Sequence, residues 1–237
     1  SGSGKSNDRD GLVVLSRLAL GEAVRDALDG PRSGGEEPIR GGAEGCAPLG
    51  ESRFRLGCRV RSGEAAYDLD VVISVSPEVR VLREELTAVE GVPYAGRRLA
   101  AGRSLLASDP PDARRSDLNV RYFNGRRGLD PGVPFAADRL LTSQVPLRLP
   151  ATTEATKLVH RAAQDVLAVL REVFLLDPVP HLMRQYVNAR DNELRRSADN
   201  LSAAVTGLSE SDPAAYERLT ELVAGMPERM WYWRLWL

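Results

Sequence analysis

The first seven residues of the chain have the types and spacing of a phosphate-binding loop. They read Ser1-Gly2-Ser3-Gly4-Lys5-Ser6-Asn7 and lead directly into an amphipathic stretch. In the pattern GxxxxGK[ST], glycines let backbone N–H groups turn toward phosphate oxygens, the lysine adds a positive charge and the hydroxyl ligates magnesium. The positive end of the helix that follows faces the same phosphates. The motif predicts a nucleotide site at Gly2, Ser3, Gly4, Lys5, Ser6 and Asn7, with Mg²⁺ on Ser6.

The motif is incomplete, and a second interpretation stays open. The first glycine of the pattern would stand five residues before Gly4, ahead of the first residue of the chain. A glycine- and serine-rich start is also typical of a linker left by cloning. Lysine is rare here, since Lys5 and Lys157 are the only lysines among 32 basic residues, and one of them lies in the motif. Because the core is contiguous and a helix starts where phosphate binding needs one, we favour the nucleotide site.

The composition excludes several classes of protein. With 237 residues, 43% hydrophobic and 27% charged, the chain is long enough for a sizeable core and is unlike a disordered or disulfide-stapled protein. Its formal charge of -1 gives no general attraction to nucleic acid or membrane. Cys46 and Cys58 have no CxxC spacing and lie far from His160 and His181, which argues against a zinc site. With no apolar run of membrane-spanning length and no signal sequence, we expect a soluble, cytoplasmic protein.

Hydrophobic periodicity predicts the elements that position the motif. Spacings near three and four predict a helix over Asn7–Leu28, and a glycine- and proline-rich loop follows over Asp29–Gly50. Alternation of apolar and polar residues predicts an antiparallel hairpin of two strands, 54–60 and 67–75. Val79–Leu86 is expected to add a third strand.

The second half of the chain is predicted to be mainly helical. A strand is expected over Leu118–Phe123, before a turn at Asn124-Gly125. The clearest helical pattern covers Thr152–Leu170, and a second covers Asn192–Leu208. A third helix is predicted after Asp212, which has the side chain of an N-cap and is followed by proline.

These elements predict an α/β fold. We expect a P-loop NTPase-like mixed sheet with an antiparallel β-subdomain over about 54–86 and a helical subdomain over about 152–225. The predicted division places the P-loop and the β part in residues 1–150 and the helical part, with its tryptophan-rich tail, in residues 151–237.

The motif and its surroundings resemble the Walker A region of the RecF/SMC/OLD-like ABC ATPases, particularly bacterial predicted AAA ATPases related to RecF. GSGKSN is followed by a helix and Asp10-Gly11-Leu12, and asparagine after the serine is typical of that group. A second stretch runs from FLLDPVPHLMRQYV at Phe174 through SADNLS at Ser197 and resembles the segment between the two conserved halves of these ATPases. The resemblance implies ATP and Mg²⁺ as ligands, and hydrolysis at a dimer interface coupled to DNA repair or anti-phage defence.

Other parts of the family's hydrolytic site are not found in this chain. The Walker B acids, the signature loop and the switch histidine normally follow the middle segment, so the chain resembles the N-terminal part of a longer ATPase and the catalytic residues are unknown. A homodimer or a partner chain would supply the signature loop. Asp177 follows an apolar run as a Walker B aspartate does, but Pro178 stands where the glutamate belongs, and we favour an ordinary strand end. Gln144 matches the magnesium-sensing Q-loop of the family, with a plain surface residue as the alternative.

Arginines alternate along the first predicted strand and form a second candidate surface: Arg53, Arg55, Arg59 and Arg61. They would project from one face, where they could bind a DNA backbone. Asp68 and Asp70 on the neighbouring strand offer cross-strand ion pairs instead, which we favour because the whole chain is rich in arginine. The alternatives to an ATPase are therefore a non-catalytic interaction or DNA-binding module, and a degenerate ATPase fragment.

Overall fold

The computed structural model describes residues 3–30, 38–112, 115–174, 176 and 178–225, with side chains from residue 9 onward. The chain divides into two compact units, Ser1–Val173 and Phe174–Leu237. The boundary predicted at residue 150 lies before this division, because the helix Glu154–Arg171 packs within the first unit.

The described part of the first unit is an antiparallel sheet with helices packed around it. The strands are β1 Arg53–Ser62, β2 Ala65–Ser74, β3 Arg80–Glu90, β4 Pro93–Tyr94, β5 Arg97–Arg98, β6 Arg103–Ser108, β7 Asp117–Tyr122 and β8 Gly132–Ala136. The helices are α1 Ser3–Ala19, α2 Val24–Asp29, α3 Gly42–Cys46, α4 Leu141–Arg148 and α5 Glu154–Arg171. The six-stranded sheet has the order β1-β2-β3-β6-β7-β8, and the small hairpin β4–β5 is inserted between β3 and β6.

The predicted α/β class is confirmed, and the nature of the sheet differs from the prediction. Each strand pairs with its neighbour in an antiparallel ladder, so the mixed sheet expected for the core is not seen among the described strands. The hairpin β1–β2 and the third strand β3 are confirmed. The register sets Val60 opposite Tyr67. Gly63 turns the chain between these strands with a φ of 58°, a left-handed conformation that favours glycine.

Helix α5 covers the inner face of β1 and β2, and it is confirmed as a helix. Thr153 caps it, since its hydroxyl accepts a hydrogen bond from the backbone N–H of Thr156 at 3.1 Å. Its apolar side is buried, and the phenol of Tyr67 on β2 donates to Asp165 at 3.0 Å. Burial raises the pKa of Tyr67, and the neighbouring Asp165 raises it further, so this phenol stays protonated at neutral pH.

The single helix predicted over Asn7–Leu28 is wrong in its second half. α1 ends at Ala19 and α2 begins at Val24, with Gly21 between them at a φ of 92°. The backbone N–H of Val24 donates to the carbonyl of Asp138 at 2.7 Å. The break is therefore stabilised by a contact from a distant part of the chain, which periodicity does not reveal.

The second unit contains α6 Leu201–Ser211 and α7 Pro213–Ala224. Asp212 caps α7 as predicted, because its carboxylate accepts from the backbone N–H of Ala215 at 2.9 Å. The helix predicted over Asn192–Leu208 is wrong before residue 201. The fully buried Asn200 donates to the carbonyls of Asp191 at 2.9 Å and Glu193 at 2.6 Å, and these bonds hold the preceding residues as a loop.

Candidate functional site

The predicted phosphate loop lies at the start of α1. Gly2 falls outside the described residues, whereas Ser3, Gly4, Lys5, Ser6 and Asn7 form the first turns of the helix. The first four N–H groups of a helix have no acceptor within it. No acidic residue stands in this first turn. The backbone at the start of α1 therefore leaves N–H groups without acceptors in the helix, and a positive helix end, at the predicted phosphate site.

The rest of α1 is anchored in the core. Leu15 and Leu18 are almost completely buried, and the helix packs on α5. At its other end the guanidinium of Arg171 on α5 donates from Nε to the carbonyl of Ala19 at 2.8 Å, where a helix leaves carbonyls without partners. The start of α1 is thus carried by a helix whose position is set by burial and by a hydrogen bond to α5.

A cleft of about 770 Å³ runs beside α1 between this helix, β1 and the segment around α3. It begins at Asp10, three residues beyond Asn7, which is about 5 Å along a helix axis. Much of its wall is apolar, and Leu12, Ile39, Phe54 and Leu56 contribute to it. The cleft is open to solvent and continues along α1 from the predicted phosphate loop.

An ion pair closes one side of this cleft. Arg40 donates from Nε and Nη2 to the same carboxylate oxygen of Asp10, at 3.2 and 3.1 Å. The thiol of Cys46 is also part of the wall and donates to the carbonyl of Gly42 at 3.3 Å. Burial raises the pKa of Cys46, and the charges of Asp10 and Asp29 raise it further. This thiol is therefore protonated at neutral pH and is a poor nucleophile.

Gln144, the predicted magnesium sensor, is buried near the start of α4, so the alternative of a surface residue is wrong. Its amide nitrogen donates to the carbonyl of Ala136 at 2.8 Å, and its amide oxygen accepts from the N–H of the same residue at 3.0 Å. These two bonds hold the end of β8 against α4. The residues that follow Ala136 contact Val24 at the far end of α1, about 20 Å along the helix from Ser6, so the prediction that Gln144 and Ser6 share one magnesium site is wrong.

The Walker B candidate Asp177 lies outside the described residues. Its neighbours Val173, Phe174 and Leu176 are described and belong to no strand. The tryptophans Trp231, Trp233 and Trp236 also lie outside the described residues. His160 on α5 is structural, because its Nε2 lies 2.6 Å from the carbonyl oxygen of Leu149.

Three of the four arginines of β1 are paired with acids on other strands, and Arg61 pairs with Glu90 at 3.1 Å. Arg59 donates to both carboxylate oxygens of Asp68, at 2.7 and 2.8 Å, and Arg55 pairs with Asp70. These ion pairs confirm the prediction that Asp68 and Asp70 pair with arginines of β1. Since the carboxylates neutralise the guanidinium groups, this face is a weak candidate for a DNA backbone.

Other arginines have no such partner in the described part of the chain. The side chains of Arg97 on β5 and of Arg126 and Arg127 after β7 are exposed and form no ion pair there. The two segments meet, because a β-carbon added at Gly125 would lie 2.0 Å from the hydroxyl oxygen of Tyr94. The neighbouring Arg98 differs, since it pairs with Glu64 at 2.7 Å.

Sequence reasoning missed Glu84, the most deeply buried carboxylate among the described residues of the first unit. Glu84 lies on β3, has no exposed surface, and accepts hydrogen bonds from the N–H groups of Leu141 and Thr142, both at 2.6 Å. Because Glu84 is followed by Glu85 in the sequence, both would be expected to lie at the surface. The signal that was available is the alternation of β3, which places Glu84 on the same face as Leu86 and Ala88.

Neither the comparisons with known proteins nor a search for groups of metal-binding side chains identifies the chain. The chain gives no significant match to protein-family models, to curated proteins or to solved structures. In the described residues, no three His, Cys, Asp or Glu side chains are grouped as a metal site would need. No helix in the same part of the chain is long and apolar enough to span a membrane.

Proposed function

We propose that the chain binds the phosphates of ATP at the start of α1, as the nucleotide-binding part of a RecF/SMC/OLD-like ATPase in the cytoplasm. The observation that carries the proposal is the coincidence of GSGKS with the acid-free first turn of a helix that is anchored in the core. The backbone N–H groups of that turn would donate to the phosphate oxygens, and Lys5 would add a positive charge.

The cleft beside α1 supports a ligand that is larger than phosphate. A nucleoside attached to phosphates at Gly4, Lys5 and Ser6 would find the apolar wall of the cleft about two helical turns along α1, at Leu12. Apolar contacts of this kind add affinity through burial, whereas the helix start recognises charge. We expect ATP to bind more tightly than inorganic triphosphate for this reason.

We also propose that a magnesium ion binds together with the phosphates. Ser6 would supply its hydroxyl as a ligand, with the outer phosphate oxygens and water completing the shell that this ion prefers. The ion would offset the negative charge of the bound phosphates. Gln144 lies at the opposite end of α1, about 20 Å along the helix from Ser6, and both its amide atoms bond to Ala136, so it does not join this magnesium site. Hydrolysis, its coupling to DNA repair or anti-phage defence, and a homodimer or partner chain that completes the site are proposed from the family resemblance.

Titration calorimetry with MgATP tests this proposal, and the chain supplies its own control. Lys5 and Lys157 are its only lysines, and Lys157 lies on the surface of α5, paired with Glu154 at 2.9 Å. We expect Lys5→Ala to weaken MgATP binding by about tenfold or more, because a charge-assisted contact to phosphate is lost. Lys157→Ala should bind as the unaltered chain does. Equal affinity of both variants would remove the motif from consideration.

A second candidate function is the binding of a polyanion such as DNA. It is favoured by the exposed guanidinium groups of Arg97, Arg126 and Arg127, which have no acidic partner in the described part of the chain. Binding of a fluorescent DNA duplex at several salt concentrations tests it. Replacement of these three arginines by glutamine should abolish salt-dependent binding, whereas the same change at the paired Arg55 and Arg59 should not. Unchanged binding by the variant of Arg97, Arg126 and Arg127 would exclude this surface.

A further inference from the structure

Strand β1 lies at one edge of the six-stranded sheet, and its neighbour there is β2. The N–H of Val75 donates to the carbonyl of Ser52 at 2.8 Å, and these two residues continue the register that sets Arg53 opposite Ser74. Bonded and non-bonded positions alternate along an antiparallel pair. The even-numbered residues of β1 therefore bond to β2, and the odd-numbered residues from 53 to 61 turn their backbone N–H and C=O groups toward the free edge.

The free edge of β1 has the properties of a template for another strand. In the part of the chain that the structure describes, no residue outside β2 forms a hydrogen bond with the backbone of β1. Proteins commonly protect such edges with proline, with bulges or by keeping the strand short. β1 runs for ten residues without proline, and its pairing with β2 is regular from end to end. An extended peptide can add to an edge of this kind through main-chain hydrogen bonds.

The cleft beside α1 opens onto this edge. Gly57 lines the cleft and has no side chain, so backbone atoms of β1 form that part of the wall. Phe54 and Leu56, which share the less exposed face of β1, line the cleft as well. A strand added at the usual spacing of about 4.8 Å would place every second side chain on that face, beside the apolar wall that Leu12 and Ile39 continue.

On its other face, the added strand would meet the arginines of β1. Arg53 is exposed and has no acidic partner among the described residues. The side chains of Arg55, Arg59 and Arg61 are paired with acids, yet they remain 71%, 57% and 64% exposed. A guanidinium group carries several N–H donors in a planar fork, so each can bind a second carboxylate on its free side. This row of cations favours a strand with acidic residues at alternate positions.

A second copy of β1 does not fit the same edge. If two β1 strands paired in the antiparallel direction about Gly57, Arg55 would lie opposite Arg59 and Arg53 opposite Arg61. A shift of one strand by two residues would still set Arg53 opposite Arg59. Like charges at opposite positions destabilise a strand pair. The charge pattern of β1 therefore favours a different chain with acidic residues.

We propose that the free edge of β1 is a docking site for an extended, acidic segment of a partner protein, which adds to the sheet as an antiparallel strand. The acidic side chains of this segment lie opposite the arginines of β1, and its apolar side chains enter the cleft. Opposite residues of an antiparallel pair share a face, so the acidic residues also exchange backbone hydrogen bonds with the odd-numbered residues of β1. The proposal does not rest on the nucleotide site.

Fluorescence anisotropy with the full chain and no nucleotide tests this docking site. The probe is a labelled, end-capped peptide of about eight residues in which valine alternates with glutamate. We expect it to bind, and a peptide with lysine in place of glutamate should bind at least about tenfold more weakly, because charges of the same sign then face each other. Equal affinity of the two peptides would overturn the proposal, and so would the absence of binding by the glutamate peptide.

Gly57→Pro removes one N–H from the centre of the free edge. The hydrogen bonds to β2 are retained, since they come from the even-numbered residues, and proline is tolerated on an edge strand in this orientation. We expect this variant to bind the glutamate peptide about tenfold more weakly. Gly57→Ala keeps the N–H and should bind as the unaltered protein does. Unchanged binding by Gly57→Pro would overturn the proposal.

Modified peptides keep the proposal testable if Gly57→Pro does not fold. Methylation of the glutamate N–H groups should abolish binding to the unaltered protein, because these groups face β1 in the proposed pairing. Methylation of the valine N–H groups, which point away from β1, should leave the affinity unchanged. Equal binding of both methylated peptides and the unmodified peptide would contradict strand addition.

The arginines and the competing occupant are tested in the same protein. Arg53→Gln should weaken binding of the glutamate peptide by about threefold, as expected for an exposed ion pair, whereas Arg97→Gln on the β4–β5 hairpin should not. Sedimentation at several protein concentrations tests for a second copy. A dimer that Gly57→Pro abolishes would show that the edge binds its own chain, and this would overturn the proposed partner.

Discussion

The burial of Glu84 predicts an unusual dependence of stability on pH. Its carboxyl group has a pKa of about 7 in the folded protein against an ordinary value of 4.5. A raised pKa means that the folded state prefers the protonated form. The stabilisation from this group is therefore complete below pH 4.5 and is lost as the pH rises through 7. The difference in pKa corresponds to about 3 kcal/mol, most of it between pH 5 and pH 8.

Urea unfolding at several pH values measures this effect. The free energy of unfolding of the unaltered protein should fall relative to that of Glu84→Gln by about 3 kcal/mol over the range, because glutamine does not ionise. Glutamine can accept from only one of the N–H groups of Leu141 and Thr142, so the variant should be less stable by an additional amount that is the same at every pH, and the test is the pH-dependent part of the difference. Glu85→Gln is the matched control, because Glu85 lies beside Glu84 on β3 and pairs with Arg83 at the surface.

This reasoning would be refuted if the free energies of unfolding of the two proteins differed by the same amount at every pH. If the unfolding free energies of the unaltered protein and of Glu84→Gln run parallel from pH 5 to pH 8, Glu84 titrates in the folded protein as it does in the unfolded one. Its carboxylate would then be hydrated, and burial would not raise its pKa.

Three further substitutions have expected outcomes. Gln144→Leu should destabilise the first unit by about 2 kcal/mol in urea unfolding, because both backbone groups of Ala136 lose their partner in a buried corner. Asn200→Ala should speed proteolysis of the loop before α6 without changing the stability of the first unit, since its amide bonds hold only that loop. Tyr67→Phe should cost about 1 kcal/mol of thermal stability through loss of the bond to Asp165, and an equal melting temperature would show that this bond adds nothing.

Elements with local signals were predictable from the sequence. The hairpin β1–β2 follows from alternation over ten residues in each strand, and its ion pairs follow from arginines and aspartates at matching positions. Helix α7 could be predicted because Asp212 caps its first turn and Pro213 is its first residue. In both cases the residues that determine the structure are neighbours in sequence or in a short hairpin.

Features that depend on distant contacts were not predictable. The break between α1 and α2 is stabilised by Asp138, more than a hundred residues from Gly21, and the burial of Glu84 depends on the docking of α4. The sequence pattern predicts a helix from Asn192, but the side chain of Asn200 bonds to the backbone carbonyl of Glu193 and stabilises a loop there. The GSGKS motif can be read from the sequence. The cleft beside α1 cannot, because it forms only when the fold brings α1 to β1.

The most direct test of the central claim is to follow backbone amide signals during titration with MgATP. If the phosphates bind at the start of α1, the largest chemical-shift changes should occur at Gly4, Lys5 and Ser6, with smaller changes along the cleft at Leu12 and Phe54. Inorganic triphosphate should reproduce the first set of changes and leave the second small. Binding of MgATP that leaves Gly4, Lys5 and Ser6 unchanged, or the absence of binding by the folded protein, would contradict the claim.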